Sequence, residues 1–248
     1  MDVNLSRLIE DPLPNEQELI REYNDCFSLN PNIWSVKSRD DYIYNMLKMF
    51  CRFAGRRLSG TLLDVGCGNG HTLSLFEQKA ENINLYGIDL SEKAIEIATS
   101  RLKRTQLITD NFLTHQFSEK FDFILGLGTF EHFEDPLKAL QRARSILSDD
   151  GTLYLELPAN LDYGWSGNHE GFRRLAAGSR QIEWHLRRKT WEHIIRSAGF
   201  EILMGIKGPK KPFEFIWLLS SHPMNTLRSG LVRLLTIYIW LKGTTHIG

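Results

Sequence analysis

Apolar residues follow two different periods along the chain. From Asn15 to Ser28, and again from Arg39 to Leu58, they recur at i, i+3 and i+4, which is typical of one face of an amphipathic helix. After Leu58 the pattern changes to short apolar runs that end at glycine, acidic residues or proline. Such runs are typical of buried strands. The N-terminal segment is therefore predicted to be helical, and the segment after Leu58 to form a sheet.

Five apolar runs alternate with helical segments and predict the centre of the fold. The strands are expected at Thr61–Val65, Asn84–Ile88, Gln106–Ile108, Phe121–Leu125 and Thr152–Leu157. Three helices between them are expected at His71–Lys79, Ser91–Lys103 and Pro136–Leu147. This alternation is typical of a doubly wound parallel sheet. Because such sheets bind ligands beyond the carboxyl ends of their strands, the turns that follow these strands should line one cleft.

The C-terminal part of the chain departs from this alternation. Residues 159–189 are rich in Gly, Trp, His and Arg, and we interpret them as an insert on the substrate side of the cleft. A helix at Thr190–Ala198 precedes two strands, Glu201–Ile206 and Phe213–Leu219, which would pair antiparallel at a sheet edge. The predicted fold class is α/β, with a doubly wound, seven-stranded mixed sheet. Its predicted parts are an N-terminal helical cap (1–58), a ligand-binding domain (59–222) and a C-terminal amphipathic appendage (223–248).

Composition narrows the possible functions. The 248 residues include 30 Lys plus Arg and 30 Asp plus Glu, so no net charge draws the protein toward nucleic acid. Cys26, Cys51 and Cys67 form no C-x-x-C pair, and we expect neither disulfides nor a metal site. The chain shows no signal-peptide pattern and no run of ~18 apolar residues. A cytoplasmic location is therefore expected.

A glycine-rich turn carries the main chemical signal. The sequence Asp64-Val65-Gly66-Cys67-Gly68-Asn69-Gly70 ends the first predicted strand and opens a helix, so its backbone N–H groups can approach a ligand closely. Asp89 ends the second strand, where a carboxylate can accept hydrogen bonds from a ribose diol. These features predict a site for a cofactor that contains an adenosine.

Two cofactors fit this turn in general terms. A nicotinamide site has the pattern G-x-G-x-x-G, whose third glycine would fall at His71. Here the glycine comes one residue earlier, at Gly70, and the acidic Asp64 precedes the turn. A carboxylate there disfavours a pyrophosphate and favours a cofactor with an ammonium and a sulfonium. The spacing favours S-adenosylmethionine over a nicotinamide dinucleotide without excluding the latter. His71 itself is interpreted as a surface residue.

Several segments together resemble one known family. LLDVGCGNG, YGIDLS and ITDNF are similar to the first three motifs of class I S-adenosylmethionine-dependent methyltransferases. FDFILGLGTFEHFEDP resembles the fourth-strand region of the branch that includes quinone-biosynthesis enzymes, and SILSDDGTLYLELP resembles the fifth strand. The resemblance runs from about Thr61 to Pro158, and HLRRKTWEHIIRSAGFEIL continues it. It implies the Rossmann-like methyltransferase fold and S-adenosyl-L-methionine as the cofactor.

The resemblance also implies which residues bind the cofactor. The methionine part would lie against the first motif, at Asp64, Gly66, Cys67, Gly68 and Gly70. Asp89 would accept from the ribose hydroxyls, and Leu90 would flank the adenine. Asp110 would accept from the adenine amino group, with Asn111 and Phe112 beside the ring. The segment near the reactive sulfonium would be Gly126, Leu127 and Gly128. Tyr23 and Trp34 are candidates either to close over the cofactor or to pack in the core.

The implied reaction is methyl transfer to a small molecule, expected at oxygen, by in-line displacement without a metal. A hydroxyl acceptor must lose its proton, and histidine is the usual base near neutral pH. His132, with Glu131 before it, is the candidate nearest the cleft, and His185 is the next. Each of these residues could instead be structural. Two other functions stay open: a binding protein that has lost turnover, and a nicotinamide-dependent oxidoreductase.

Two charged segments bear on the acceptor and on partners. A basic cluster in and after the insert suggests an acidic acceptor or simply a solvated face; it comprises Arg173, Arg174, Arg180, Arg187, Arg188 and Lys189. The segment 225–242 reads as a basic amphipathic helix. Such a helix could lie on the inner membrane surface, pack on the domain or form a homodimer. Membrane contact would suit a lipid-linked acceptor.

Overall fold

The structure is a computed structural model that describes residue 9 and residues 13–33, 37–53, 55, 57–158, 171–174, 181–207 and 214–220. The six helices in these ranges are α1 (Glu16–Leu29), α2 (Lys37–Phe53), α3 (His71–Lys79), α4 (Glu92–Arg101), α5 (Pro136–Ile146) and α6 (Arg188–Ser197). The nine strands are β1 (Gly60–Val65), β2 (Ile83–Asp89), β3 (Gln106–Thr109), β4 (Phe121–Leu127), β5 (Leu147–Pro158), β6 (Gly171–Arg174), β7 (Ile182–His185), β8 (Glu201–Lys207) and β9 (Glu214–Ser220). None of the helices in this part of the chain has the length and apolar character needed to cross a membrane.

Seven strands form one mixed sheet in the order β3-β2-β1-β4-β5-β9-β8. The first five are parallel to one another, and β9 lies antiparallel between β5 and β8. This order confirms the predicted doubly wound, seven-stranded mixed sheet and the antiparallel pair at its edge. The strand order reverses direction at β1 and β4, so the crevice between their carboxyl ends is where such a sheet binds its ligand.

Both faces of the sheet are covered, which explains why its strands read as continuous apolar runs. Leu63 and its same-face neighbours pack with α5 and α6 in a core that includes Trp184 and Trp191. Leu62 points to the opposite face and packs with α2 and α3, in a core that includes Phe76. Each such side chain, when fully buried, contributes about 2 kcal/mol to the free energy of unfolding.

Helix α1 lies across the carboxyl edge of the sheet rather than on either face. Asn15 and Glu18 form a capping box that begins the helix. Further along α1, the Asn24 Oδ1 accepts from the Ser91 hydroxyl at 2.7 Å and from the Lys93 N–H at 3.1 Å. Ser91 caps α4, as predicted, and its Oγ accepts from the Ala94 N–H at 3.0 Å. These contacts hold α1 against the start of α4, next to the predicted cleft.

Three features of the fold differ from the sequence-based expectations. Helix α2 ends at Phe53 rather than near Leu58. The turn predicted at residues 149–151 lies inside β5, whose range begins at Leu147. The predicted insert, 159–189, contains a hairpin of β6 and β7 and the first residues of α6, while much of it lies outside the described residues. The predicted appendage, 223–248, also lies outside them.

Candidate functional site

A cavity of about 710 Å³ lies at the carboxyl ends of the parallel strands. The turns that follow β1, β2, β3 and β4 and the last residues of β5 all contribute lining residues, so the predicted cleft is present; the turn after β5 lies outside the described residues. Helix α1 covers this cleft with Leu19, Tyr23 and Phe27. We call the part formed by residues 64–70, 89–90 and 110–113 the glycine-turn end. The glutamate end is the part formed by Glu131, His132 and Glu183.

The glycine turn is held by backbone hydrogen bonds, and two of its glycines pack closely against neighbouring side chains. The N–H groups of Gly66 and Cys67 donate to the Ile88 carbonyl at 2.8 and 3.1 Å. Gly68 has φ +52° and approaches Phe27 of α1 so closely that a Cβ would lie 3.2 Å from the Phe27 Cζ. Gly70 has φ +71° at the N-cap of α3, where a Cβ would lie 2.6 Å from the Leu102 side chain. The positive φ favours glycine at both positions, and at Gly70 a side chain would also clash with Leu102.

Asp89 connects the end of β2 to this turn. Its Oδ2 accepts from the Gly68 N–H and its Oδ1 from the Ser91 N–H, both at 2.8 Å. Burial raises the pKa of Asp89 above its ordinary value, while the backbone N–H groups of Ser91, Gly68 and Leu90 act in the opposite direction. Each carboxylate oxygen has two lone pairs, so Asp89 can accept further hydrogen bonds from a ligand in the cavity. The contacts fix its carboxylate at the cavity wall.

Asp64 lies near the end of β1, just before the turn, and Cys67 lies within the turn. Asp64 is only 3% exposed and lines the cavity. Cys67 is buried, and burial, followed by the charges of Asp89 and Asp64, raises the pKa of its thiol well above the ordinary value. The thiol is therefore protonated near neutral pH and has no nucleophilic role.

The residues predicted to surround an adenine lie in the loop after β3. Asp110 Oδ2 is 2.8 Å from the His115 Nδ1, and the hydrogen bond from His115 lowers the pKa of Asp110. Asn111 donates through Nδ2 to the Glu16 carboxylate of α1 at 2.7 Å. Phe112 is buried against other aromatic rings, including that of Phe130, and also lines the cavity. These residues and Leu90 all contribute to the cavity wall.

The cap residues proposed from the sequence have different outcomes. Tyr23 lines the cavity between its two ends. Burial raises its pKa, and the negative charges of Asp89 and then Glu131 raise it further, so the phenol stays neutral. Trp34 lies outside the described residues.

The glutamate end joins residues from two distant segments. Glu131 and His132 lie in a 3₁₀ turn, Phe130–His132, after β4, and Glu183 lies on β7. One ligand atom from each of these three side chains lies within 4.8 Å of the other two, an arrangement that a cation could share. Glu131 is only 4% exposed, and all three residues line the cavity. Sequence reasoning did not select Glu183, since no local spacing connects it to Glu131.

Three residues selected from the sequence, Gly70, Gly126 and His185, do not line the cavity. The His185 Nε2 lies 3.2 Å from the Glu183 Oε1, so His185 sits behind a lining carboxylate. Gly126 is covered by Phe130, since a Cβ there would lie 2.5 Å from that ring. Leu127 and Gly128, in contrast, both reach the cavity wall.

His71 is half-buried at the cavity wall, which the surface interpretation missed. Its Nδ1 forms a hydrogen bond with the buried carboxylate of Asp40 on α2. The Thr72 hydroxyl donates to the other oxygen of Asp40 at 2.7 Å. This group joins α2 to the start of α3, beside the glycine turn, and only the tertiary packing of α2 reveals it.

The fold and this cavity define an α/β protein with a nucleotide-type site at the switch point of its sheet. A family model described as "Methyltransferase domain" matches residues 39–204, and the chain belongs to this family.

Curated relatives agree with this family. The ubiquinone biosynthesis O-methyltransferase of Actinobacillus pleuropneumoniae serotype 7 is 34% identical over 103 residues, which are 38% of this chain and 43% of the relative. The protein of the same name from Nitrosomonas europaea is 26% identical over 149 residues, 56% of this chain and 63% of the relative. The chain thus spans about half the length of these curated relatives.

Solved structures show the same fold. An S-adenosylmethionine-dependent methyltransferase from Clostridium acetobutylicum has a TM-score of 0.60 at 16% identity, over 81% of this chain and 99% of that one. The 1,6-didemethyltoxoflavin-N1-methyltransferase of Burkholderia thailandensis has a TM-score of 0.62 at 16% identity, over 86% of this chain and 92% of that one. The latter was solved with 1,6-didemethyltoxoflavin and S-adenosylhomocysteine bound. At such identities the likeness concerns the fold.

Proposed function

We propose that this protein transfers a methyl group from S-adenosylmethionine to a hydroxyl oxygen of a small molecule, without a metal. The observation that carries this proposal is that one cavity contains both the glycine turn anchored by Asp89 and the Glu131–His132 pair. The cofactor supplies an activated methyl on its sulfonium, so the protein has to bind and align the two reactants.

The glycine-turn end has the donors and acceptors that this cofactor requires. The buried carboxylate of Asp64 would attract the ammonium and sulfonium charges. Asp89 would accept from the ribose hydroxyls, and Asp110 from the adenine amino group. The rings of Tyr23 and Phe27 would exclude water from above. The same geometry disfavours a dinucleotide, because Asp64 would repel its pyrophosphate.

The glutamate end would receive the acceptor. The acceptor oxygen must approach the methyl carbon at roughly 3 Å, in line with the C–S bond. As the new C–O bond forms, the C–S bond breaks, the hydroxyl proton passes to His132, and S-adenosylhomocysteine leaves. Glu131 would hold the resulting imidazolium, while His185, behind Glu183, would support that carboxylate.

No observation favours the alternative of a binding protein without turnover. An oxidoreductase is disfavoured, because His71 takes the place of the third glycine and pairs with Asp40. Release of S-adenosylhomocysteine from S-adenosylmethionine distinguishes turnover from binding alone.

The finer predictions about the acceptor and partners rest on segments outside the described residues. Segment 225–242 is the basis for a peripheral membrane contact with a lipid-linked acceptor, or for a homodimer. Deleting residues 225–248 and measuring sedimentation with anionic liposomes, and the mass in solution, tests both possibilities. Unchanged liposome binding and unchanged mass would contradict a role of this segment in either.

Isothermal titration tests the cofactor. S-adenosylhomocysteine should bind the wild type and NADH should not, and Asp89→Ala should weaken S-adenosylhomocysteine at least about 100-fold, because several hydrogen bonds to a charged group are lost. Asp122→Ala is the matched control: Asp122 also accepts a backbone N–H, from Thr61 at 2.9 Å, but it does not line the cavity. NADH binding without S-adenosylhomocysteine binding would overturn the proposal. Release of S-adenosylhomocysteine from S-adenosylmethionine across an acceptor panel then tests turnover.

A further inference from the structure

A histidine behind the cavity wall holds one of the carboxylates that line it. The Nδ1 of His115 lies 2.8 Å from the Asp110 Oδ2, and the Asn111 N–H donates to the Asp110 Oδ1 at 2.7 Å. An ionised carboxylate can only accept, so the proton in the first contact belongs to the Nδ1 of His115. Asp110 lines the cavity but His115 does not. His115 can therefore act on a ligand only through Asp110.

His115 is itself held by contacts on several sides. Its backbone N–H donates to the Asn111 carbonyl at 2.9 Å, and its carbonyl accepts from the guanidinium of Arg142 on α5. Its ring packs edge-on against Phe117, with the ring centroids 4.6 Å apart. The Arg142 guanidinium lies over the same Phe117 ring, 5.7 Å from its centroid. The main chain and the ring of His115 are thus both fixed, so the Nδ1 donor has a set position.

The orientation of the Asp110 carboxylate depends on this donor. The Asp110 N–H donates to the Asp89 carbonyl at 3.1 Å, which fixes the backbone beside the end of β2. The last torsion of an aspartate side chain is soft, and the Asp110 side chain is 47% exposed. Without His115 the carboxylate could turn about this torsion into water. The hydrogen bond from His115 lowers the pKa of Asp110, as expected of a contact that favours the ionised acceptor.

A carboxylate with a fixed plane can distinguish one base from another. Each of its oxygens has two lone pairs, so the contacts from His115 and Asn111 leave lone pairs for a ligand at the wall. Hydrogen bonds weaken steeply when donor and acceptor are misaligned, and those to a charged acceptor are the stronger ones. An amino group that meets the fixed carboxylate therefore gains affinity. A base without an amino group gains nothing from it.

We propose that His115 is a positioning residue that holds Asp110 as a fixed acceptor for the 6-amino group of the cofactor's adenine, and so sets the preference of the site for adenine. This inference rests on the proposed function, which places the adenine at Asp110. His115 touches neither the cofactor nor the methyl acceptor. Its contribution is the direction of the Asp110 lone pairs, and the affinity gained from the amino group measures that contribution.

The test compares two ligands that differ only in the amino group. They are S-adenosylhomocysteine and its analogue in which unsubstituted purine replaces adenine. Isothermal titration of the full chain should show S-adenosylhomocysteine binding at least about tenfold more tightly than the analogue. His115→Phe keeps a ring against Phe117 but loses the donor, and should reduce this preference to less than about threefold. A merely structural role of His115 would weaken both ligands alike and leave their ratio unchanged.

Further variants assign the effect to the pair of side chains. His115→Asn should keep the preference, because its amide can donate from near the position of the Nδ1. Asp110→Ala should abolish the preference, and adding His115→Phe to it should change the ratio no further, since His115 acts through Asp110. Gln116→Ala is the matched control: Gln116 is an exposed residue of the same loop that donates to the Thr114 carbonyl at 2.8 Å, and its loss should leave the preference intact.

Two kinds of failure are distinguishable. A wild type that binds S-adenosylhomocysteine without preference for its amino group, or a preference that persists in His115→Phe or falls equally in Gln116→Ala, would overturn this inference alone. Failure of the wild type to bind S-adenosylhomocysteine would instead contradict the proposed function. Thermal unfolding checks that each variant folds. If His115→Phe does not, His115→Leu removes the same donor and provides the same comparison.

Discussion

The two ends of the cavity differ in how far apart their residues lie along the chain. The glycine-turn end is formed by short contiguous segments, each at the end of one strand, and its key contacts use backbone atoms, such as the Gly68 N–H that donates to Asp89. At the glutamate end, side chains meet from the turn after β4 and from β7, about fifty residues later. A site made of local backbone leaves a motif in the sequence. A site made of side chains from distant segments does not.

The largest expected effect is the loss of stability in Gly70→Val, which tests whether the backbone of the glycine turn tolerates a side chain. At φ +71° a side chain is strained, and its Cβ would also lie 2.6 Å from Leu102. We expect the free energy of unfolding to fall by about 3–5 kcal/mol, from strain and overpacking together. Urea unfolding measures this.

Gly55→Val is the matched control for that substitution. Gly55 has φ +70°, but a Cβ there meets nothing within 4 Å. It should therefore lose only the strain, about 1–2 kcal/mol. Equal losses for the two variants would show that the turn tolerates side chains, and the contrast between the two ends would lose its structural basis.

His132→Gln examines the other end of the cavity. If His132 accepts the hydroxyl proton, kcat should fall about 100-fold or more, while the affinity for S-adenosylhomocysteine stays within about twofold. His193→Gln, on α6 outside the cavity lining, should change neither quantity. An unchanged kcat, or a loss of cofactor affinity equal to the loss of rate, would mean that His132 is structural.

Asn24→Ala tests whether helix α1 contributes to cofactor binding at the glycine-turn end. The variant removes the acceptor that binds the Ser91 hydroxyl and the Lys93 N–H, and so loosens α1. We expect S-adenosylhomocysteine affinity to fall about fivefold, the equivalent of about 1 kcal/mol. Ser28→Ala, on the same helix, removes only a hydrogen bond to the Asn24 carbonyl and should leave affinity unchanged. Equal affinities in both variants would separate α1 from cofactor binding.

The parallel strands could be predicted from the sequence because burial on both faces produces continuous apolar runs, as in Leu62 and Leu63 of β1. The glycine turn and Asp89 could be predicted because each directly follows or ends a strand. The neighbouring strands β1 and β2 then bring them together, so their positions in the sequence determine their positions in the site. The hairpin of β6 and β7 could not, since its strands are four residues long and pair across a segment without periodicity. Glu183 therefore had no sequence signal. It reaches the cavity because the neighbouring Trp184 is buried and donates to the Phe133 carbonyl at 2.9 Å.

The same reasoning explains Asp40. Its position on α2 is typical of a polar helix face, yet it is 1% exposed and pairs with His71 and Thr72. Only the packing of α2 on α3 brings it to His71 and Thr72, which line the cavity. A buried polar group that serves a tertiary contact looks like a surface residue in the sequence.

Asp110→Asn should have the smallest effect and tests how open the adenine side of the glycine-turn end is. The hydrogen bond from His115 lowers the pKa of Asp110, so its ionised form adds stability above the ordinary aspartate pKa. That stability is lost as pH falls through the lowered pKa. The Asp110 side chain is 47% exposed, and solvent screens the pair. Without cofactor, the wild type should exceed the variant in Tm by at most about 2 °C at pH 6, and by nothing at pH 2.5. Calorimetric scans at the two pH values measure this, and an equal difference at both would mean that the Asp110 charge adds nothing to stability.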